Sequence, residues 1–251
     1  MSSKALPGTE ESDETLVSHL TELRRRLVYT IITLLLGFFA CWNFSEQIFD
    51  FIRLPIAPYL PQDGLVFTAP MDKFLAHIKV CLLASIVVTS PLWIYQIWAF
   101  IAPALYKEER KFGLAFIFFG TILFLSGVSF LYFLVMPMAF KFLLQFGGEV
   151  DKAMITIKEY LSFFITTTLV FGVAFEMPLM FAILAKLGVV SPNFLINNWR
   201  YAVVILAAGS AMFTPPDVIS MVMMMIPMLG LYGLSIILVS IIAKDNEKSQ
   251  S

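Results

Sequence analysis

Two polar clusters in this sequence combine carboxylates with basic residues beside apolar segments. The first lies in segment 19–27, where Glu22 and Arg24 directly precede a long apolar run. On a helix, His19, Glu22 and Arg26 would share one face, because residues three and four apart are neighbours. An interfacial helix anchored to lipid headgroups by its arginines would give the same pattern. The sharper interpretation is that Glu22 is an exposed carboxylate that binds a cationic partner.

The second cluster lies in segment 96–110, where Phe100 and Leu105 come before Glu109 and Arg110. Glu109 follows another glutamate, so two carboxylates stand beside an aromatic, proline-containing segment. Carboxylates bind arginine through two parallel hydrogen bonds, a geometry that the lysine ammonium group does not reproduce. The pattern therefore suits a guanidinium group followed by a hydrophobic segment. A solvated turn compensated by neighbouring basic residues is the simpler alternative.

A third candidate is an acid inside an apolar run. Glu176 lies near the middle of segment 160–185, and Pro178 follows it. A charge at the centre of a spanning helix costs about 2.5–3.5 kcal/mol, so we expect Glu176 to be protonated, paired or facing water. Pro178 favours a functional role, because it frees backbone groups that need polar partners. A hydrogen bond to a neighbouring helix is the structural alternative.

The fourth candidate is Asp217, which follows Pro215 and Pro216 in a short connection between two apolar runs. An acid in this position is a good N-cap for the helix that follows. Its charge would also interact favourably with the helix dipole. Helix capping therefore explains Asp217 as well as a functional role does.

The composition indicates that these clusters belong to a membrane protein. Hydrophobic residues make up 59% of the 251 residues and charged residues only 14%, whereas soluble domains carry about 25% charged residues. Apolar runs long enough to cross about 30 Å of hydrocarbon alternate with short charged segments. The sequence therefore predicts an all-α membrane protein with six transmembrane helices, at residues 27–44, 78–100, 112–135, 160–185, 201–213 and 218–243.

The fifth predicted helix is short, and Pro227 interrupts the sixth. Residues 201–213 reach only about 20 Å at 1.5 Å per residue, less than the thickness of the hydrocarbon core. No linker divides the chain, so residues 1–251 form one predicted domain with polar tails at 1–18 and 244–251. Lysine and arginine are more frequent on the side that carries both tails, which places both termini in the cytoplasm.

Several functional classes are excluded or unsupported. The net charge of −1 and the lack of a basic stripe argue against a nucleic-acid partner. Cys41 and Cys81 lie in apolar runs without metal-ligand spacing, as expected of small buried hydrophobic residues. His19 and His77 fall on opposite sides of the predicted membrane, and His77 has no assigned role. No hydrolase, metalloprotease or phosphate-binding motif is present, so we predict no catalytic residue, no metal and no cofactor.

Four segments together resemble the TatC family, the multi-spanning receptor subunits of the twin-arginine protein translocase. These segments occur in the family's order and cover most of the apolar region. They are His19-Leu-x-Glu22-Leu-Arg24-x-Arg26-Leu27, Gln96-x-Trp98-Ala-Phe100-Ile-Ala-Pro103-Ala-Leu105-Tyr106-Lys107-x-Glu109-Arg110, Phe171-Gly-Val-x-Phe175-Glu176-x-Pro178 and Thr214-Pro215-Pro216-Asp217. One such segment would be weak evidence, but four in order on six helices are specific.

The resemblance implies a receptor for the twin-arginine signal peptides of folded precursor proteins. Its partners would be the single-span subunits TatA and TatB, membrane lipid and further copies of itself, and export across the inner membrane of a prokaryote would use the proton-motive force. In the family, glutamates at the positions of Glu22 and Glu109 recognise the arginine pair. Phe100 and Pro55 match family positions that are tied to function. The implied site comprises Glu22, Arg24, Phe100, Leu105, Glu109 and Arg110, with Pro55, Glu176, Pro178, Pro215, Pro216 and Asp217 elsewhere.

The resemblance also implies a shape, namely a glove-like bundle with short fifth and sixth helices and a glutamate at the position of Glu176 on its concave side. A secondary transporter, with Glu176 as the proton-coupled ligand of a small solute, is the rival interpretation. It is less favoured because matched broken helices in two halves are missing from the sequence pattern. An intramembrane enzyme is a more distant alternative.

Overall fold

The computed structural model describes residues 9–60, 64–102, 113–145, 154–213 and 218–250, with side chains between residues 20 and 244 apart from that of residue 145. The described residues form eleven α-helices and contain no strand. The helices are α1 Thr9–Trp42, α2 Ser45–Arg53, α3 Pro70–Val88, α4 Ser90–Ile101, α5 Gly113–Phe130, α6 Met136–Gln145, α7 Ile157–Phe175, α8 Met177–Lys186, α9 Pro192–Asn197, α10 Trp199–Phe213 and α11 Val218–Gln250.

Four helical stretches are long and apolar enough to cross a membrane, namely Leu20–Trp42, Gly113–Leu144, Ile157–Lys186 and Val218–Lys244. The pair α3 and α4 adds a fifth crossing if it is one span bent by 59°. Helix α10 is apolar but has only 15 residues, as the short fifth apolar run predicted. The chain is therefore an all-α, multi-pass membrane protein.

The second span differs from its predicted bounds because it begins at Pro70 rather than at residue 78. Pro70 occupies the first turn, where its missing N–H group is not needed. Asp72 Oδ2 then accepts hydrogen bonds from the backbone N–H groups of Ala69 at 2.8 Å and Thr68 at 3.1 Å. These hydrogen bonds stabilise the start of α3. In the sequence, the charged residues of this stretch are typical of a loop.

The same span bends between α3 and α4, where Thr89 separates the two helices. Pro91 has no N–H group for an intrahelical bond, and its ring crowds the carbonyl one turn earlier. Thr89 Oγ1 donates a hydrogen bond to the Ser85 carbonyl at 2.7 Å. The bend directs α4 away from the axis of α3.

Two other spans contain irregular turns. A π-helical turn, Leu131–Val135, joins α5 to α6, so the third span continues past Pro137 to Gln145 instead of ending near it. Pro137 cannot donate a hydrogen bond, and the wider turn before it accommodates that loss. The fourth span is divided at Glu176, which ends α7 and precedes α8.

The sixth helix is not short, which corrects the expectation drawn from the family resemblance. Helix α11 has 33 residues and passes through Pro227 without a break. The predicted polar tail from residue 244 also continues this helix, to Gln250. Proline removes one backbone hydrogen bond, and a spanning helix surrounded by other helices tolerates that loss.

Close helix packing depends on glycine. Helix α1 lies along α3, where Ser85 Oγ donates a hydrogen bond to the Leu34 carbonyl at 2.6 Å. A Cβ atom at Gly37 would lie 2.6 Å from Ser85 Oγ and 2.7 Å from Thr89 Cγ2. Helix α5 approaches α7 in a similar way, because a Cβ at Gly127 would lie 2.8 Å from the Phe171 carbonyl oxygen. These contacts set the distance between helix backbones.

Helix α2 and the described residues that follow it, up to residue 69, meet residues 154–156 at one end of the bundle. We call α2 with residues 54–60, 64–69 and 154–156 the cap. Val66 donates a backbone hydrogen bond to the Ile155 carbonyl at 3.0 Å, and Ile157 donates one to the Val66 carbonyl at 2.8 Å. Ile52 of α2 and Ile56, which follows the helix, are buried in the core. The cap therefore ties the start of the second span to the start of the fourth.

Candidate functional site

The first predicted cluster forms a hydrogen-bonded network with the beginning of the second. Arg26 Nη2 lies 3.2 Å from Glu22 Oε1, and Arg26 Nη1 donates a hydrogen bond to Gln96 Oε1 at 3.3 Å. The side chains of Arg26 and Glu22 are only 21% and 24% exposed. The network joins α1 to α4 and places Glu22 beside the segment that leads into the second cluster. We call these three residues the Glu22 site.

The positions of Glu22 and Arg26 follow from the helix. They are four residues apart on α1, so their side chains meet on one face. Arg24 and the neighbouring Arg25 are exposed on other faces. The sequence pattern identified Glu22 and placed Gln96 at the start of the second cluster. It did not predict the contact between Gln96 and Arg26, because that contact depends on how α4 packs against α1.

The remaining residues of the predicted recognition site are only partly described. Phe100 is half-buried in the last turn of α4. Trp98, in the same turn, is buried against Phe116 of α5, with ring centroids 4.9 Å apart. This packing fixes the end of α4. Leu105, Glu109 and Arg110 lie outside the described residues, so their positions relative to the Glu22 site remain predictions.

The surroundings of the Glu22 site favour recognition of a cation. Leu23 and Leu27 of α1 and Ile97 of α4 are exposed apolar neighbours in sequence. A half-buried carboxylate is less well solvated than one in free water, so its hydrogen bonds to a guanidinium group are stronger. An arginine that is followed by apolar residues would meet both features together.

Glu176 lies between α7 and α8, where the backbone remains hydrogen-bonded through the Met180 N–H to the Glu176 carbonyl at 2.9 Å. Its carboxyl group faces Gly120 of α5, because a Cβ at Gly120 would lie 3.4 Å from Glu176 Oε2. Glu176 Oε1 is buried and has no hydrogen-bond partner among the described residues. Gly120 thus leaves space for an acid that no described group neutralises.

The predicted prolines have separate positions. Pro55 is buried in the cap, directly before the fully buried Ile56. Pro178 is buried in the first turn of α8. Pro215, Pro216 and Asp217 lie outside the described residues. Pro55 in the cap and Pro178 in α8 belong to different elements from the Glu22 site, which is formed by α1 and α4.

His77 lies in a polar cavity beside the cap. Its ring packs on that of Phe49, with centroids 5.4 Å apart, and the cavity has a volume of about 330 Å³. Four charged side chains also line it, those of Glu46, Asp50, Arg53 and Lys73. Within the described ranges, no group of three or more histidine, cysteine or acidic residues has a metal-binding arrangement.

The two cysteines pack together in the membrane region. Both are buried, and the Cys81 thiol donates a weak hydrogen bond to the Cys41 carbonyl at 3.8 Å. This contact joins α3 to α1. Cys41 and Cys81 therefore contribute to helix packing, as expected of buried thiols.

Comparison with known proteins gives one family. The family model described as Sec-independent protein translocase protein (TatC) matches residues 18–227. The Sec-independent protein translocase protein TatC of Helicobacter pylori is 39% identical over 237 residues, which cover 93% of this chain and 93% of the relative. The protein of the same name from Escherichia coli is 35% identical over 227 residues, which cover 90% and 88%.

A solved structure agrees with these relatives. The crystal structure of a twin-arginine translocase receptor, TatC, superposes with a TM-score of 0.81 at 35% sequence identity. The match covers 90% of this chain and 99% of the other. Since sequence and fold agree over nearly the whole length, this chain belongs to the TatC family of Sec-independent protein translocase proteins.

Proposed function

We propose that this chain is the receptor subunit that recognises twin-arginine signal peptides for the export of folded proteins. The observation that carries the proposal is the Glu22 site, where a half-buried carboxylate already holds a guanidinium group at 3.2 Å. A site that accommodates an arginine from its own chain has the chemistry to accommodate one from a client. As a member of a translocase family, the chain is a transport component rather than an enzyme.

Recognition would involve two acids. Glu22 and Glu109 bind the two arginines, and Phe100 with Leu105 packs against the apolar residues that follow them. Arg24 and Arg110 flank these acids in the sequence and complete the proposed signal-peptide-binding set. Gln96 supports the assignment, because it places the start of the second cluster within hydrogen-bond distance of Arg26 in the first.

The hydrophobic part of the signal peptide would then insert along the concave side of the bundle towards Glu176. The unpartnered Glu176 oxygen supports this step, since an uncompensated acid among the described spans is a functional candidate. Pro178 sets the break beside it, while Asp217, Pro215 and Pro216 shape the connection between the last two helices, and Pro55 holds the cap.

The proposed topology has six crossings, with α10 as the short fifth crossing and both termini in the cytoplasm. It is supported by the 15-residue apolar helix α10, which lies between two longer spans in the chain. The proposed setting is the inner membrane of a bacterium, with TatA, TatB, further copies of this chain and membrane lipid as partners. Transport would draw on the proton-motive force.

The test is binding of a fluorescent signal peptide to the purified chain in nanodiscs. An Arg-Arg peptide and its Lys-Lys counterpart are compared at one fixed salt concentration, because both carry the same charge but only arginine forms the bidentate contact. We expect a strong Arg-Arg preference that Glu22→Gln and Glu109→Gln each reduce. Equal affinity for the two peptides would contradict the receptor assignment and favour the transporter interpretation of Glu176.

A further inference from the structure

Arg26 occupies the position on Glu22 that an incoming arginine would need. Its Nη2 atom lies 3.2 Å from Glu22 Oε1, and its Nη1 atom donates to Gln96 Oε1 at 3.3 Å. The Glu22 carboxylate and the Gln96 amide oxygen both belong to the Glu22 site, and both accept hydrogen bonds from a guanidinium group. A client arginine that bonded both carboxylate oxygens of Glu22 would therefore compete with Arg26 for Oε1.

The contacts that hold Arg26 are long and few. Charge-assisted N–H to carboxylate hydrogen bonds are commonly about 2.7–2.9 Å long, so the 3.2 Å contact with Glu22 is a weak example. It involves a single nitrogen and a single carboxylate oxygen rather than a bidentate pair. Arg26 Nε is buried without a hydrogen-bond partner in the described part of the chain. An arginine that formed two parallel hydrogen bonds to Glu22 would bind the carboxylate more strongly than Arg26 does.

We propose that Arg26 is an internal counter-ion of Glu22 that a client arginine displaces on binding. The inference rests on the proposed function, which supplies the client arginine. In the empty receptor Arg26 neutralises a half-buried carboxylate that would otherwise be unpaired. In the occupied receptor the client guanidinium takes its place, and the Arg26 side chain turns away from Glu22.

Displacement makes Arg26 a specificity-determining residue. A client lysine offers a compact ammonium group that does not form the planar two-bond contact, so it gains little over the Arg26 contact that it must break. A client arginine gains the bidentate geometry. Arg26 therefore lowers the affinity for a client lysine more than the affinity for a client arginine. Specificity is the difference between these two affinities, so Arg26 increases it.

The experiment compares Arg26→Gln with Arg25→Gln in the full chain in nanodiscs. Arg25 is the adjacent exposed residue, so the control removes the same charge without removing the Glu22 contact. Relative to Arg25→Gln, we expect Arg26→Gln to bind the Arg-Arg peptide about fivefold more tightly. The Lys-Lys peptide should gain more than the Arg-Arg peptide, which lowers the ratio of the two affinities.

A second variant tests whether the gain depends on Glu22. In a Glu22→Gln background, Arg26→Gln should give no gain beyond that of Arg25→Gln, since no carboxylate is left to be uncovered. Gln96→Leu should give a smaller gain than Arg26→Gln, because it removes only one of the two groups that hold Arg26. Thermal unfolding of each variant in the same nanodiscs separates loss of binding from loss of fold.

The outcomes distinguish the two proposals. If the unmodified chain prefers Arg-Arg and Arg26→Gln binds no better than Arg25→Gln, Arg26 is not a counter-ion that clients displace, while the receptor assignment stands. A gain that persists without Glu22 would likewise overturn the displacement of Arg26 and leave the receptor assignment intact. If the unmodified chain binds both peptides equally, the receptor assignment and the inference that rests on it are both wrong.

Discussion

Tyr132 fastens the π-helical turn to α2 through two contacts with one residue. Its hydroxyl group donates a hydrogen bond to the Phe51 carbonyl at 2.7 Å, and its ring stacks on the Phe51 ring with centroids 4.5 Å apart and planes 5° apart. Tyr160 of α7 similarly donates to the Ile52 carbonyl. The last carbonyl groups of a helix have few intrahelical partners, and the two tyrosines donate hydrogen bonds to two carbonyls at the end of α2. The Phe51 carbonyl also accepts a hydrogen bond from the Leu54 N–H at 3.2 Å.

Tyr132→Phe is expected to destabilise the protein by about 1 kcal/mol, because it removes one of the two hydrogen bonds that the Phe51 carbonyl accepts while keeping the stacked ring. Thermal unfolding in detergent measures the change. Tyr95→Phe is the matched control, since Tyr95 is exposed on α4 and should unfold at the temperature of the unmodified chain. An unchanged unfolding temperature for Tyr132→Phe would mean that the hydroxyl contributes nothing to the cap.

Gly37→Ala is expected to destabilise the protein by about 1–3 kcal/mol, because the added methyl group overpacks the contact between α1 and α3. A Cβ atom would lie within 2.7 Å of both Ser85 Oγ and Thr89 Cγ2. The measurement is again thermal unfolding. Combining Gly37→Ala with Ser85→Ala and Thr89→Ser should restore part of the lost stability, because these changes shorten the two side chains that the added methyl group meets.

Gly233→Ala is the control for this prediction. Gly233 is also inside a spanning helix, but a Cβ there meets no atom within 4 Å in the part of the chain that the structure describes. Alanine also favours the helix over glycine, so stability should be unchanged or slightly higher. Equal destabilisation by both substitutions would show that space at Gly37 is not the deciding factor.

Glu176→Gln is expected to raise the free energy of unfolding by about 1 kcal/mol, since it removes a group whose ionised form is costly inside a span. The gain is limited because the amide is still polar and still lacks a partner among the described residues. Glu159→Gln is the matched control, since Glu159 is exposed at the start of α7 and should leave the unfolding temperature unchanged. A marked loss of stability in Glu176→Gln would mean that the carboxylate has a stabilising partner.

The proposed orientation can be tested by labelling single cysteines in intact cells. Cys41 and Cys81 are first replaced by alanine, a small change for buried thiols. A membrane-impermeant maleimide should then label Gln47→Cys on α2 directly, but label Lys244→Cys near the end of α11 only after the membrane is opened. Both positions are exposed. Labelling in the reverse pattern would invert the proposed topology.

Hydrophobic length predicted most of the spans, and its errors have physical causes. The start of the second span was missed because Asp72, Lys73 and His77 resemble a loop, although Asp72 is there to cap the helix. The third span was predicted to end at residue 135, just before Pro137, and Pro227 was predicted to interrupt the sixth. The chain instead continues through a π-helical turn at the first and an unbroken helix at the second. Proline marks a lost hydrogen bond, but the packing around it decides the path of the helix.

The candidate site residues also divide into those that the sequence identifies and those that only the structure reveals. Glu22 was identifiable from its local motif, and its pairing with Arg26 follows from helical spacing alone. The part played by Gln96 was not identifiable, because it belongs to another helix and depends on tertiary packing. Glu176 was identifiable because an acid in an apolar run is rare. The space that Gly120 leaves for its carboxyl group is visible only in the structure.

The backbone bridge between Val66 and Thr156 has a consequence for biogenesis. In the proposed topology the second and third spans lie between these residues, so the bridge would form only after both have crossed the bilayer. If one of them failed to insert, Val66 and Thr156 would emerge on opposite faces of the membrane and could not pair. In that topology the cap would close only on a correctly threaded chain, so the bridge would mark a completed insertion.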